Sequence, residues 1–190
     1  MKILGISGSP RKEGNTSILV ERALGVCKKA GAETEFISLA DLDIGYYGKS
    51  TRKDDADVVF ESMKECDALI VGSPTYFASV SAQLKALFDR SLPLRKDNYR
   101  LSGKVGGAIA VGGSRNGGQE FVVRDIHNWM LLHEMIVVAD KKTAHFGGIA
   151  VGRKAGDVVD DEVGMETVDN LALNVVETTK KILGGYKPLG

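Results

Sequence analysis

Five short, nearly continuous apolar runs punctuate the chain, and most are followed by a segment whose apolar residues repeat at helical spacing. Ile3, Leu4 and Ile6 predict a buried strand, and Val20, Leu24 and Cys27 predict a helix over about 16–30 that Gly31 stops. A second strand is expected at about 34–39, through Phe36, Ile37 and Leu39. A polar stretch over 41–57 follows, carrying Gly45, Gly48, Lys49, Arg52 and Lys53, and then a helix near 56–65. Residues 68–72 read as a strand apolar on both faces, with a helix near 81–91 behind it through Leu84, Leu87 and Phe88. The fourth strand is expected at 105–111, its helix at about 119–132, and the last strand at 135–138. A loop over 140–161 then leads to a C-terminal helix carrying Val168, Leu171, Ala172, Val175 and Ile182.

Strands that are apolar on both faces and alternate with helices predict a parallel sheet covered on both sides, an α/β three-layer sandwich. Right-handed crossovers in a chain of 190 residues favour five strands in the order 2-1-3-4-5, the flavodoxin-like arrangement, in one domain over 1–190. That order places a ligand beyond the C-terminal ends of strands 1 and 3, where the winding direction reverses.

Charge and composition exclude more than they assign. Lys plus Arg and Asp plus Glu balance at 25 each, which gives no reason to expect a nucleic-acid or polybasic membrane partner. Neither a signal-peptide pattern nor a run of 18 apolar residues is present, so a soluble, cytoplasmic protein is expected. Cys27 and Cys66 are far apart and unpatterned, as for small buried residues rather than a disulfide or metal site. His127, His133 and His145 are scattered and read as structural or surface residues. The acidic groups at 54–57 and 157–162 precede helices, where capping explains them.

Chemistry concentrates in three turns. After strand 1, Ser7-Gly8-Ser9-Pro10 breaks the run and Gly14-Asn15-Thr16 opens the helix, with Asn15 or Thr16 placed to cap it. Free N–H groups and the helix dipole at such a turn suit an anion. Ser9, Thr16 and Ser17 add hydroxyls, and Arg11 adds a charged fork. A nucleotide P-loop is ruled out, because Asn15 stands where its lysine belongs, and the dinucleotide pattern of three glycines is missing. A phosphate monoester such as that of flavin mononucleotide (FMN) fits better, with a ligand-free turn as the alternative.

The other two turns are 72–79, with Pro74, Thr75, Tyr76 and Phe77, and 112–120, with Gly112, Gly113, Ser114, Gly117 and Gly118. Together they form two walls of a slot for a flat ring, whose electronics nearby N–H groups would tune. Separately, each has a bland explanation: the aromatics as ordinary core residues, the glycines as a flexible turn.

Gly8-Ser9-Pro10-Arg11 with Gly14-Asn15-Thr16-Ser17 resembles the phosphate loop of the NADPH-dependent FMN reductase family. The 72–76 and 112–120 loops, and the 152–170 stretch, are similar to its iron–sulfur flavoprotein branch. The resemblance implies a flavodoxin-like domain with non-covalent FMN, in a homodimer or homotetramer. It implies Ser9, Arg11, Asn15, Thr16 and Ser17 at the phosphate. Around the ring it implies Pro74, Thr75, Tyr76, Phe77, Gly113, Ser114, Gly117 and Gly118. That branch carries a compact four-cysteine motif after strand 2, whereas 44–52 here contains no cysteine, so a relative without the cluster is expected. Tyr46 and Tyr47 in that stretch read first as part of a packed loop, with covering of the flavin from a neighbouring subunit as the alternative; Trp129 and the 140–161 loop are candidate interface elements. The expected activity is transfer of reducing equivalents from NADPH or NADH to a small acceptor (a quinone, flavin or metal ion), with no side chain assigned as acid or base. A flavodoxin-type carrier or a flavin-binding sensor is the alternative; the zero net charge argues against a carrier that docks through acidic patches.

Overall fold

A computed structural model describes residues 1–48 and 54–185; Lys49, Ser50, Thr51, Arg52 and Lys53 of the polar stretch lie outside the described residues. The elements are β1 (Lys2–Ser7), α1 (Asn15–Lys29), β2 (Glu33–Ser38), α2 (Ala56–Glu65), β3 (Ala68–Pro74) and α3 (Ala82–Asp89). They continue with α4 (Leu92–Lys96), β4 (Val105–Gly112), α5 (Gln119–Leu132), β5 (Ile136–Val137), β6 (Gly148–Val151) and α6 (Glu162–Leu183). All pairings are parallel and the strand order is β2-β1-β3-β4-β5, as expected.

Side chains alternate across each strand, so one strand feeds two cores. Leu4, Ile6, Leu69 and Val71 face the layer of α2, α3 and α5, where Leu84 and Ile126 meet them. Ile3, Ile70 and Ile109 face α1 and α6, against Leu19, Val168 and Leu171. Full burial of each such side chain contributes about 1.5–3 kcal/mol. Ser7 pairs with Ser38 and Gly72, and Pro74 with Val111, so the loops after β1, β3 and β4 leave the same sheet edge.

The expected loop over 140–161 is in part a strand. The edge of the sheet is split: β5 pairs with Val105 and Gly106 of β4, and β6 pairs with its second half, Ile109 to Gly112. Between them the chain leaves the sheet in a turn around Asp140, whose carboxylate accepts the Lys142 N–H at 3.1 Å and the Thr143 hydroxyl. It returns through Gly147, where a Cβ would stand 2.3 Å from the Ala108 carbonyl oxygen. So short a run behind two glycines carried too little periodicity to be read as a strand. Trp129 is also not an interface residue: it is buried, stacked on Phe88 at 4.3 Å, and donates its indole N–H to Ser91 Oγ at 2.9 Å. Among the described residues no helix is long and apolar enough to cross a membrane.

Candidate functional site

The three loops surround an open cleft of about 260 Å³ at the C-terminal edge of the sheet. Ser9, Arg11 and Asn15 line it from the first turn, Pro74, Thr75 and Tyr76 from the second, and Gly113 from the third. A fourth wall, Gly152, Arg153 and Ala155, follows β6. The sequence suggests an interface role and a family resemblance for this segment but no place in the site, since its local signal is a glycine beside two cations.

The first turn differs locally from expectation. Gly14, not Asn15 or Thr16, occupies the N-cap of α1, and no side chain caps the helix. Asn15 is engaged elsewhere: its Oδ1 accepts the Gly156 N–H and its Nδ2 donates to the Lys154 carbonyl, both at 2.8 Å. The first N–H groups of a helix have no partner within it, and here no carboxylate stands in the first turn to compete for them. Ser9 Oγ accepts the Arg11 N–H at 3.1 Å and shapes the turn. Thr16 and Ser17 are buried behind it, and Ser17 Oγ meets Ser7 Oγ at 2.9 Å. Gly8 donates its N–H to the Gly72 carbonyl at 2.7 Å, while its own carbonyl accepts the Ser81 hydroxyl.

After β3, Thr75 gives its N–H to the Val111 carbonyl at 2.7 Å, yet its buried Oγ1 has no hydrogen-bond partner among the described residues. An unsatisfied buried hydroxyl costs about 1–3 kcal/mol, and this one stands at the wall of an open cleft. Tyr76 and Ser79 then exchange backbone hydrogen bonds at 3.0 and 3.1 Å around a tight two-residue tip. Both tip residues, Phe77 and Ala78, hold left-handed backbone at φ 49° and 58°. Phe77 is fully exposed at 106 % and Tyr76 at 42 %, so neither is a core aromatic.

The third loop is held by Gln119, which is completely buried; its Oε1 accepts the Gly117 N–H and its Nε2 donates to the Ser114 carbonyl, both at 2.8 Å. A Cβ on Gly112 would stand 2.4 Å from that amide nitrogen, so only glycine admits the brace. Gly118 has φ 99°, and a Cβ there would lie 3.0 Å from Ala78 Cβ, so the second and third loops touch. Ser114, Gly117 and Gly118 therefore belong to the loop's frame, and Gly113 reaches the cleft itself.

Charge is arranged around one end. Arg153 Nε donates to the Gly113 carbonyl at 2.7 Å, and Arg115 pairs with Asp161 at 2.6 Å. Burial opposes the Asp161 charge, but Arg115 and the N–H groups of Gly164 and Val151 outweigh it and hold the carboxyl below its usual range. Among the described residues the Arg11 guanidinium has no carboxylate partner.

Comparison with known proteins assigns the architecture. Residues 1–148 match the model of the NADPH-dependent FMN reductase family. The chain belongs to that family. Its relatives include an iron–sulfur flavoprotein of Methanocaldococcus jannaschii, 52% identical over 96% of this chain and 99% of that protein. An NAD(P)H dehydrogenase (quinone) of Chromohalobacter salexigens is 34% identical over 61% of this chain and 60% of its own. Among solved structures, the apo form of an NADH:FMN oxidoreductase superposes with a TM-score of 0.68 at 23% identity, covering 98% of this chain and 91% of that one. As a member of the NADPH-dependent FMN reductase family, the chain is a flavoprotein of the oxidoreductase class with a flavodoxin-like fold.

Proposed function

We propose that this chain is a single FMN-binding domain over 1–190 that oxidises NADPH or NADH and reduces a small acceptor: a quinone, a flavin or a metal ion. The observation that carries the reading is the cleft itself. It brings together an uncapped helix N-terminus, a cation that has no carboxylate partner among the described residues, and a buried hydroxyl that has no hydrogen-bond partner among them. Ser9, Arg11 and the first N–H groups of α1, backed by Asn15, Thr16 and Ser17, suit a phosphate monoester. Pro74, Thr75 and Tyr76, with Phe77 at the tip beside them, and on the other side Gly113 on the loop that Ser114, Gly117 and Gly118 frame, suit a flat ring, with Thr75 Oγ1 placed to meet a polar ring atom. FMN held there would supply the redox chemistry, as an acceptor of hydride from the nicotinamide and a donor of two electrons to the acceptor. The protein's share is to hold the phosphate, fix the plane of the ring and keep water from the wall that Thr75 and Gly113 form. A quinone fits as acceptor because a relative is named for it. A homodimer or homotetramer fits the fully exposed Phe77 beside the cleft, and unpaired cysteines fit a reducing compartment such as the cytoplasm.

The test is the visible spectrum of the purified protein, followed by NADPH in the absence of oxygen. Flavin bands that bleach with NADPH and return with a quinone support the proposal. Bands that resist both nicotinamides but bleach with dithionite favour the carrier or sensor. A colourless protein that does not take up FMN sinks it.

A further inference from the structure

A relative 52% identical over nearly the whole chain is called an iron–sulfur flavoprotein, and a cluster of that kind is held by cysteine thiolates, as a rule about four. This chain contains 2 cysteines in all. They lie on opposite sides of the sheet: Cys27 on α1 in the layer shared with α6, and Cys66 just after α2 in the other core. Both are buried. Burial pushes the Cys27 thiol up to about 12 and the Cys66 thiol up to about 11, so neither offers a thiolate at neutral pH. Cys66 Sγ donates to the Met63 carbonyl at 3.3 Å, as a packed thiol does. Among the described residues no three His, Cys, Asp or Glu side chains are grouped to hold a metal ion. The residues present do not fit a cluster.

The described residues between β2 and α2 are instead cross-linked by protein groups. The Asp54 side chain is 4% exposed and pairs with the Arg90 guanidinium from the end of α3. Its carboxylate also accepts the Gly45 N–H at 3.0 Å and the Ala56 N–H at 3.1 Å. Arg90 Nη1 donates in addition to the Gly45 carbonyl at 3.2 Å. Next to this pair, Asp43 and Asp55 tie the two ends together: the Asp43 N–H donates to Asp55 Oδ2 at 2.8 Å, and the Asp55 N–H to the Asp43 carbonyl at 3.1 Å.

We propose that this member of the family carries no iron–sulfur cluster, and that the Asp54–Arg90 ion pair is a clamp that joins the described segments 43–48 and 54–56 to the end of α3. The inference does not depend on the flavin reading. It is tested by purifying the full chain without oxygen and incubating it with ferrous iron, sulfide and a thiol reductant. The protein is then desalted through a chelator, and iron and acid-labile sulfide are measured beside the flavin released on denaturation. The Methanocaldococcus relative, treated in parallel, is the loading control. Below about 0.1 iron and sulfide per chain is expected, and iron with sulfide near two to four per chain overturns the proposal. Flavin without iron upholds both readings; neither flavin nor iron sinks the flavin reading and leaves this one standing.

The clamp is read by hydrogen exchange in Arg90→Gln. Exchange at the described residues 43–48 and 54–56 is expected to rise about tenfold or more, with the β1 and β3 amides unchanged, because the buried Asp54 carboxylate and the Gly45 carbonyl lose their bonds to the Arg90 guanidinium. Arg90→Lys, which keeps the charge, is expected to fall between parent and Arg90→Gln; it serves alone if Arg90→Gln does not fold. Exchange equal to the parent in the variant that folds overturns the clamp.

Discussion

Asn15 Oδ1 accepts the Gly156 N–H at 2.8 Å, and this bond joins residues 141 apart in sequence. A Cβ on Gly152 would stand 2.4 Å from Asn15 Nδ2, so the amide is wedged between the first turn and the wall after β6. One side chain thus ties the first turn to the fourth wall of the cleft. Asn15→Ala removes both the Gly156 and the Lys154 bonds and leaves two backbone groups of that wall to water. A loss of about 1–2 kcal/mol is expected, with weaker FMN binding. Urea unfolding and a flavin-fluorescence titration check it; an unchanged midpoint would show that the wall stands without Asn15.

Phe77 is an exposed aromatic whose backbone is strained, at φ 49°. Strain of this kind gathers where a loop is shaped for a ligand. Phe77→Gly relieves it but gives the unfolded chain more freedom, so stability is expected to stay within about 1 kcal/mol of the parent. FMN affinity is expected to fall, since the tip loses its ring. A melting temperature far below the parent's would mean that Phe77 packs in a way its exposure does not suggest.

Much of this was legible in the sequence. The apolar runs at 3–6, 68–72 and 105–111 are strands because both faces of a parallel sheet are dry, and their order placed three of the four cleft walls. Gly14 at the N-cap was not foreseen, because Asn15 is a good capping residue by itself and its true partners lie about 140 residues on. β6 was missed for a similar reason: Gly148–Val151 is a strand through its pairing with β4, not through its own pattern. Local spacing reports local structure, and the fourth wall is made by contacts that spacing cannot express. The roles of Gln119 and Arg90 have the same origin, being braces set by neighbours across the fold.

Acid should unfold the protein in part through His133. Burial, and then the Arg95 cation, push its imidazole from 6.5 down to about 4, and burial does the same to His127. The folded chain therefore binds fewer protons than the unfolded chain between those two values. Stability from this source is fully present above 6.5 and is lost as pH falls toward 4, with no further loss below. The His133 share is at most about 3 kcal/mol. Urea midpoints taken across that window in the parent and in His133→Gln, which keeps a polar group beside Ser91 Oγ, are expected to converge as pH falls. Parallel curves would acquit His133.

Arg11 supplies the last prediction. It is exposed, and among the described residues no carboxylate holds its guanidinium, so the folded chain gains little from it. A bound phosphate monoester at the uncapped start of α1 would be within the same turn, and a charged fork there contributes about 1.5–3 kcal/mol. Arg11→Ala is expected to raise the FMN dissociation constant about tenfold or more, with the unfolding midpoint unmoved. Part of the loss should be electrostatic. The parent's affinity should drop with added salt more steeply than the variant's, and riboflavin, which lacks the phosphate, should bind both alike. Measuring FMN and riboflavin at two ionic strengths separates the phosphate contact from a change in the cleft's shape. Equal FMN affinity in parent and Arg11→Ala would remove Arg11 from the site and leave the phosphate to the helix N–H groups and Ser9. A riboflavin affinity that fell with FMN would show that Arg11 shapes the turn rather than meeting the ligand.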